Sequence, residues 1–381
     1  MIWKNKSKKI IINRGFICIG KMVIFILCQY GMKQGLFLLF LFCCKGLLAQ
    51  DTVKVGMANT PEQLAEKDYN HGLEAIQRQD YKTAVDFLSK AISARPNFDK
   101  AFSNRAIAQS ILKNHNEAIA DINNAIRLNS KNADAFFNKG LIYFSLQKKD
   151  SALAAFDKCL LLKPDHAEAC YYKGLLFYEK NNTDKAIELY SQAIAAKPDY
   201  SYAYNDRASA KRSKGDYAGA IADYEKALSL HKTPPVFIYN NLGSACRLQK
   251  DQAKAIAAYS KAIEADPGYL VALNNRGAAH FENNDLKAAR ADFESVLGKD
   301  AKNASAYNNL ASIAIKEKDY KKARDLASRS IELDPANGPA YYNRGIASQM
   351  LRDESCCSDW KKALELGVES AKAFVHATCM N

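Results

Sequence analysis

Residues Val236–Tyr269, VFIYNNLGSACRLQKDQAKAIAAYSKAIEADPGY, set the pattern for most of the chain. Apolar residues recur there at helical spacing in two runs, separated by the polar turn Gln249–Gln252 and closed by Asp266-Pro267-Gly268. Small side chains at Gly243, Ala255 and Ala262 let two helices cross closely. Large ones at Tyr239, Leu242 and Tyr259 fill the remaining space. The stretch predicts an α-helical hairpin.

The same pattern returns with a period of 34 residues from Ala65 to Ser370. It predicts nine hairpins over 65–98, 99–132, 133–166, 167–200, 201–235, 236–269, 270–303, 304–337 and 338–370. The fifth is one residue long at Pro234-Pro235, and the ninth one short before Cys356. Block position 8 is Gly or Ala throughout, from Gly72 and Ala106 to Gly345. Position 20 is Ala in the first eight blocks and Cys356 in the ninth. Position 24 is large (Leu88, Ile122, Phe156, Tyr190, Tyr224, Tyr259, Phe293, Trp360) except at Ala327. Pro96, Pro164, Pro198, Pro267 and Pro335 end second helices, since proline cannot continue them.

These positions resemble the tetratricopeptide repeat (TPR) family. The resemblance implies an all-α fold, a right-handed α-solenoid of about nine helix–turn–helix repeats. One hairpin cannot bury its own apolar face, so each repeat packs on the next. The last face needs a cover, and a capping helix is expected over 368–379, with Ala371, Phe374, Val375 and Thr378 on one side.

The first fifty residues differ. They hold eight Lys or Arg and no acid, with apolar patches at 16–30 and 36–44. Neither patch supplies eighteen uninterrupted apolar residues. Lys33, the run LFLLFLFCC and Leu47-Leu48-Ala49-Gln50 are read as a secretory signal cleaved near Ala49 or Gln50; an uncleaved anchor is the other reading. Residues 51–64 are read as a linker. The expected setting is therefore an exported one, periplasmic or at the cell surface of a bacterium, with any membrane contact made through the N-terminal segment.

Removing that segment reduces the formal charge of +13 to 46 basic against 41 acidic residues. Those charges alternate along helix faces, the pattern of a solvated surface, so no nucleic-acid partner is expected. No motif for phosphate binding, nucleophilic catalysis or zinc binding occurs, and the six His are scattered; no enzyme activity, cofactor or metal is expected.

The family resemblance locates the candidate site. In TPR arrays the first helix of each hairpin lines a concave groove, with positions 2, 5, 6, 9, 12 and 13 at or near it. Here position 6 is Asn in seven of nine blocks, and position 5 adds Asn205, Asn240, Asn274 and Asn308. The doubled pairs Asn240/Asn241, Asn274/Asn275 and Asn308/Asn309 are similar to the asparagine ladder in the TPR superhelix of O-GlcNAc transferase. An amide offers donor and acceptor to a peptide backbone, so one of each pair is expected to face the groove while its neighbour braces the repeats. Bracing alone is the other reading.

A second patch of Phe137, Leu141, Phe144, Tyr171, Leu175 and Tyr178 is expected to be exposed in the groove, with Arg212 and Arg247 between it and the asparagines. The expected partner is another protein, through a peptide or helical segment. A docking role for an envelope assembly, secretion or glycan-transfer enzyme system is the alternative. Finally, the chain's ending resembles that of bacterial TPR proteins with a cysteine ahead of the last tryptophan and another near the terminus. The resemblance implies a Cys357–Cys379 disulfide, with two free thiols the alternative; Cys159, Cys170 and Cys246 read as small buried hydrophobes.

Overall fold

The structure, a computed structural model, describes residues 60–379. The signal or anchor reading of residues 1–50, and most of the linker, lie outside them.

The described residues form nineteen helices and no strand. The first helix of each hairpin begins at the first residue of its block from the second block on: α3 (Asp99–Ile111), α5 (Ala133–Ser145), α7 (Ala167–Glu179), α9 (Ser201–Ser213), α11 (Val236–Leu248), α13 (Leu270–Glu282), α15 (Ala304–Lys316) and α17 (Gly338–Met350). Each is followed by its partner: α4 (His115–Leu128), α6 (Lys149–Leu162), α8 (Thr183–Ala196), α10 (Tyr217–Ser229), α12 (Gln252–Ala265), α14 (Leu286–Lys299), α16 (Tyr320–Leu333) and α18 (Cys356–Glu365).

Two boundaries differ from expectation. Helix α1 (Pro61–Gln77), paired with α2 (Tyr81–Ala94), starts inside the stretch read as linker. Thr60 and Gln63 form a capping box there and Pro61 occupies the first turn, so the start signal precedes the repeat boundary. The closing helix α19 (Ala371–Thr378) is shorter than the expected 368–379. No described helix is long and apolar enough to cross a membrane.

The packing follows the small–large code. A Cβ on Gly140 would lie 2.3 Å from the Phe156 ring, and one on Gly277 would lie 2.6 Å from that of Phe293. The absent side chain is the space the ring occupies. Trp360, Tyr190, Tyr224, Tyr259, Phe156 and Phe293 are the largest fully buried side chains. Ala84, Ala118, Ala152, Ala186, Ala220, Ala255, Ala289 and Ala323 are wholly buried at the helix crossing.

Each hairpin turns through a left-handed residue at position 15. Eight of these are not glycine, among them Gln79, Lys113, Lys250 and Arg352, and Gly215 is the ninth. Such a residue ends an α-helix by supplying backbone N–H groups to its last carbonyls.

Consecutive odd-numbered helices pack on one another along most of the array, whereas even-numbered ones do not do so to the same extent. The odd-numbered face is therefore the more closely spaced, inner side of the stack.

A second device ties neighbouring hairpins. Arg105, Arg207 and Arg276 at position 7 each grip the position-23 Asp of their own hairpin through two hydrogen bonds: Asp121 at 2.7 and 2.8 Å, Asp223 at 2.7 and 2.8 Å, Asp292 at 2.7 and 2.9 Å. The third guanidinium nitrogen donates to the position-25 Ser of the preceding hairpin, namely Ser89, Ser191 or Ser260. Lys139 and Lys173 reach back to the same position, at Asn123 and Asp157. A bidentate guanidinium fixes orientation as well as distance.

At the C-terminus Cys357 and Cys379 are bonded, their Cα atoms 5.5 Å apart, which fastens α19 to α18. Trp360 packs against Phe374 beneath them, the ring centroids 4.8 Å apart. Cys159, Cys170 and Cys246 are buried, and burial pushes the Cys159 thiol up to about 12 and that of Cys246 to about 11. These two thiols stay protonated at neutral pH.

Candidate functional site: the inner face of the array

The asparagines meet across hairpin junctions. Asn241 donates its amide to Asn205 Oδ1 at 3.2 Å, Asn275 to Asn240 Oδ1 at 2.9 Å, and Asn343 to Asn308 Oδ1 at 2.8 Å. Position 6 of one repeat thus bonds position 5 of the repeat before it. Earlier junctions use other chemistry in the same places: Asn104 to the Tyr69 hydroxyl, Asn138 to Ser103, both at 3.0 Å.

The expected division of labour therefore runs between neighbouring repeats rather than within one pair. Asn205 and Asn240 are buried acceptors; of the position-6 donors Asn343 is buried, while Asn241 and Asn275 are half-buried and their Oδ1 has no described partner. Between repeats seven and eight the rung is missing. Asn274 turns to Asn303 at 3.5 Å, and no hydrogen bond to Asn309 is found among the described residues.

The aromatic patch is a correction. Phe137, Leu141, Tyr171 and Leu175 are half-buried, packed against the cores around Phe156 and Tyr190 rather than laid open in the groove. Phe144 is half-buried too, its ring 5.4 Å from that of Tyr172. The reason is the third junction, where Phe137 and Tyr172 replace the polar rung and lie 5.9 Å apart. Rings of this size at a helix crossing become core. Of the six, only Tyr178 is exposed, at 36%.

Exposed apolar surface appears two repeats later, at position 2. Tyr202 is 38% exposed and stacks on Phe237 with centroids 6.5 Å apart, and Val271 is 51% exposed. Positions 2, 6, 9 and 13 share one helix stripe, so Leu248, 46% exposed, lies on the same side as Phe237. This row was legible as three successive apolar residues at a groove position, but each stands alone in its own block.

The two arginines behave differently. Arg247 donates to Glu282 of the next repeat at 2.9 Å. Arg212 has no ion-pair partner among the described residues; it lies near the Tyr224 and Tyr259 hydroxyls, whose acidity is weakened chiefly by burial and partly restored, at Tyr224 by this guanidinium and at Tyr259 by Ser244 and Arg247 more than by it.

Asp206 stands at position 6 of the fifth repeat, where most repeats have Asn. It accepts from the Tyr171 hydroxyl at 2.7 Å and from the Asn205 amide at 2.9 Å. Burial pushes its carboxyl up to about 6, against the pull of those two donors. Beneath it the position-24 tyrosines show a rule and an exception. The Tyr224 hydroxyl bonds Ser209 at 2.8 Å and that of Tyr259 bonds Ser244 at 3.1 Å. Tyr190 faces Leu175 at that place, and its hydroxyl is buried with no hydrogen-bond partner.

Comparison with known proteins agrees with this architecture. The tetratricopeptide repeat family model matches residues 106–163, 146–201, 205–269 and 274–338. That is more than half of the chain, which belongs to the tetratricopeptide repeat family. The chain is similar to the solved C-terminal part of a TPR repeat-containing protein from Cytophaga hutchinsonii, at 21% identity and TM-score 0.52, over 63% of this chain and 98% of that one. It is also similar to pilF of Pseudomonas aeruginosa, at 16% identity and TM-score 0.51, over 56% and 96%. At these identities the likeness concerns the fold alone. A search of curated proteins gives no match.

Proposed function

We propose that this protein is a non-enzymatic scaffold that holds an extended or helical segment of another protein against the inner face of its array. Proteins of this repeat family generally mediate protein–protein interaction. The observation that carries the reading is the row Tyr202, Phe237 and Val271, two of the three exposed, on successive inner helices. Apolar side chains left in water at a regular rise mark a surface built for a partner. The unpaired Oδ1 atoms of Asn241 and Asn275, four residues along the same stripe, supply acceptors for the backbone of such a segment.

The Cys357–Cys379 bond supports an oxidising compartment, as does the reading of the first fifty residues as an export signal.

The test is a peptide-display selection on the full-length chain, followed by affinity measurement with and without Tyr202→Ala and Val271→Ala together. Loss of about tenfold or more in affinity is expected, as for central apolar contacts of an interface. Selected peptides that bind both forms equally would remove the groove from consideration.

A further inference from the structure

The buried carboxylates of this protein are matched, and half-buried Asp206 is not. Asp121, Asp223, Asp292 and Asp359 are buried, and each meets an arginine of its own hairpin. Asp206 meets two neutral donors and no cation among the described residues. A carboxylate partly withdrawn from water gains from a countercharge. Arg212, six residues on in the same helix, lies near Tyr224 and Tyr259 and forms no ion pair with Asp206 among the described residues.

The second observation is independent. Tyr190 is wholly buried with an unpartnered hydroxyl, and both Asp206 and Tyr178 are close enough to perturb it electrostatically. Repeats five and six satisfy the corresponding hydroxyl with a serine, while repeat four has Leu175. Tyr202, exposed, precedes Asp206 by one helical turn, and Tyr178, also exposed, acts electrostatically on Tyr190 and Tyr224, as Asp206 does.

We propose that the inner face at α7 and α9 carries a subsite for a cationic side chain, lysine or arginine, of the bound segment. Asp206 is its countercharge, Tyr178 and Tyr202 its aromatic walls, and the Tyr190 oxygen an additional acceptor. The chemistry fits: each Asp206 oxygen has one donor and retains a free lone pair. Tyrosine faces attract cations, and a desolvated ammonium or guanidinium gains most where a carboxylate is already oriented. This proposal rests on the scaffold reading and names what the scaffold recognises.

The probes are Nα-acetyl-lysine methylamide, Nα-acetyl-arginine methylamide and the neutral Nα-acetyl-norleucine methylamide, titrated into the full-length chain. The Asn205 side-chain amide, bonded to Asp206, is the NMR reporter. Saturable shifts are expected with both cations, about tenfold weaker or absent with norleucine. Asp206→Asn, which removes a half-buried charge and keeps the neighbouring asparagine pattern, is expected to abolish the response. Tyr190→Phe is expected to weaken it several-fold at unchanged fold. Equal response to norleucine, or a response surviving Asp206→Asn, overturns the subsite.

The two readings fail separately. Selected peptides without lysine or arginine that need Tyr202 and ignore Asp206→Asn leave the scaffold standing and remove the subsite. Cation binding lost in Asp206→Asn, with no peptide held by the apolar row, supports the subsite and removes the groove.

Discussion

Asn275 of the seventh repeat donates its side-chain amide to Asn240 of the sixth, 2.9 Å away, so a residue 35 positions distant becomes a nearest neighbour. The bond joins consecutive inner helices at a half-buried place, where a lost partner leaves an unsatisfied group. Asn275→Ala is expected to cost about 1 kcal/mol, and Asn240→Ala about the same. Their double mutant should show a coupling of at least about 0.5 kcal/mol in urea unfolding, because both changes remove one bond. Asn309→Ala, at the junction without a rung, is the comparison and should be nearly neutral. Simple additivity of the first pair would show that the rung contributes nothing.

The position-24 tyrosines make opposite predictions from the same chemical change. Tyr224→Phe removes a hydroxyl bonded to Ser209 and should destabilise by about 1 kcal/mol. Tyr190→Phe removes a buried hydroxyl that has no partner, and stability should be unchanged or higher by about 1 kcal/mol. Thermal unfolding of the two variants side by side decides it; equal losses would mean that the Tyr190 oxygen is satisfied.

Asp206 gives a pH signature. Its folded value, about 6, lies above the ordinary 3.8. The folded chain therefore binds this proton more tightly than the unfolded chain. The associated stability is full below about pH 4 and is lost as pH rises through about 6. Asp206→Asn should accordingly raise stability at pH 7 by about 1–3 kcal/mol and make little difference near pH 4. Denaturant midpoints of the two proteins at both pH values are the measurement; a constant gap across that window would contradict the assignment.

The disulfide should act locally. It closes a sequence separation of 22 residues and ties only the last helix. Reduction, or Cys357→Ser with Cys379→Ser, is expected to lower the free energy of opening α19 by about 2–3 kcal/mol. Hydrogen exchange over Ala371–Thr378 should rise by one to two orders of magnitude. Helices α3 to α10 should exchange as before. Uniform acceleration throughout would show instead that the whole stack unfolds with its end.

The hairpins were readable because their code is local and repeated: small at 8 and 20, large at 24, with Gly140 and Phe156 as two halves of one volume. The inner surface was less readable, for a physical reason. Whether Phe137 lies in a groove or in a core depends on the residue it meets 35 positions away, Tyr172, and each block gives no sign of that alone. The same holds for Asn240, which reads as a free amide until Asn275 is placed against it. The arginine clamps are not legible within one block because their partners stand 16 positions away on both sides, in Arg207 with Ser191 and Asp223. The unsatisfied Tyr190 hydroxyl was visible as Leu175 standing where Ser209 and Ser244 stand in later repeats.

Those clamps also bear on how the molecule can grow. Position 25, where the guanidinium or ammonium reaches back, is Ser, Asn, Asp or Glu in every one of the first eight hairpins, from Ser89 and Asn123 to Glu294 and Ser328. Any hairpin thus offers an oxygen to whichever cation follows it. Duplicating or excising one complete unit strands no charge, whereas inserting a handful of residues between two units does. The charge pairing therefore favours changes of length by one whole hairpin.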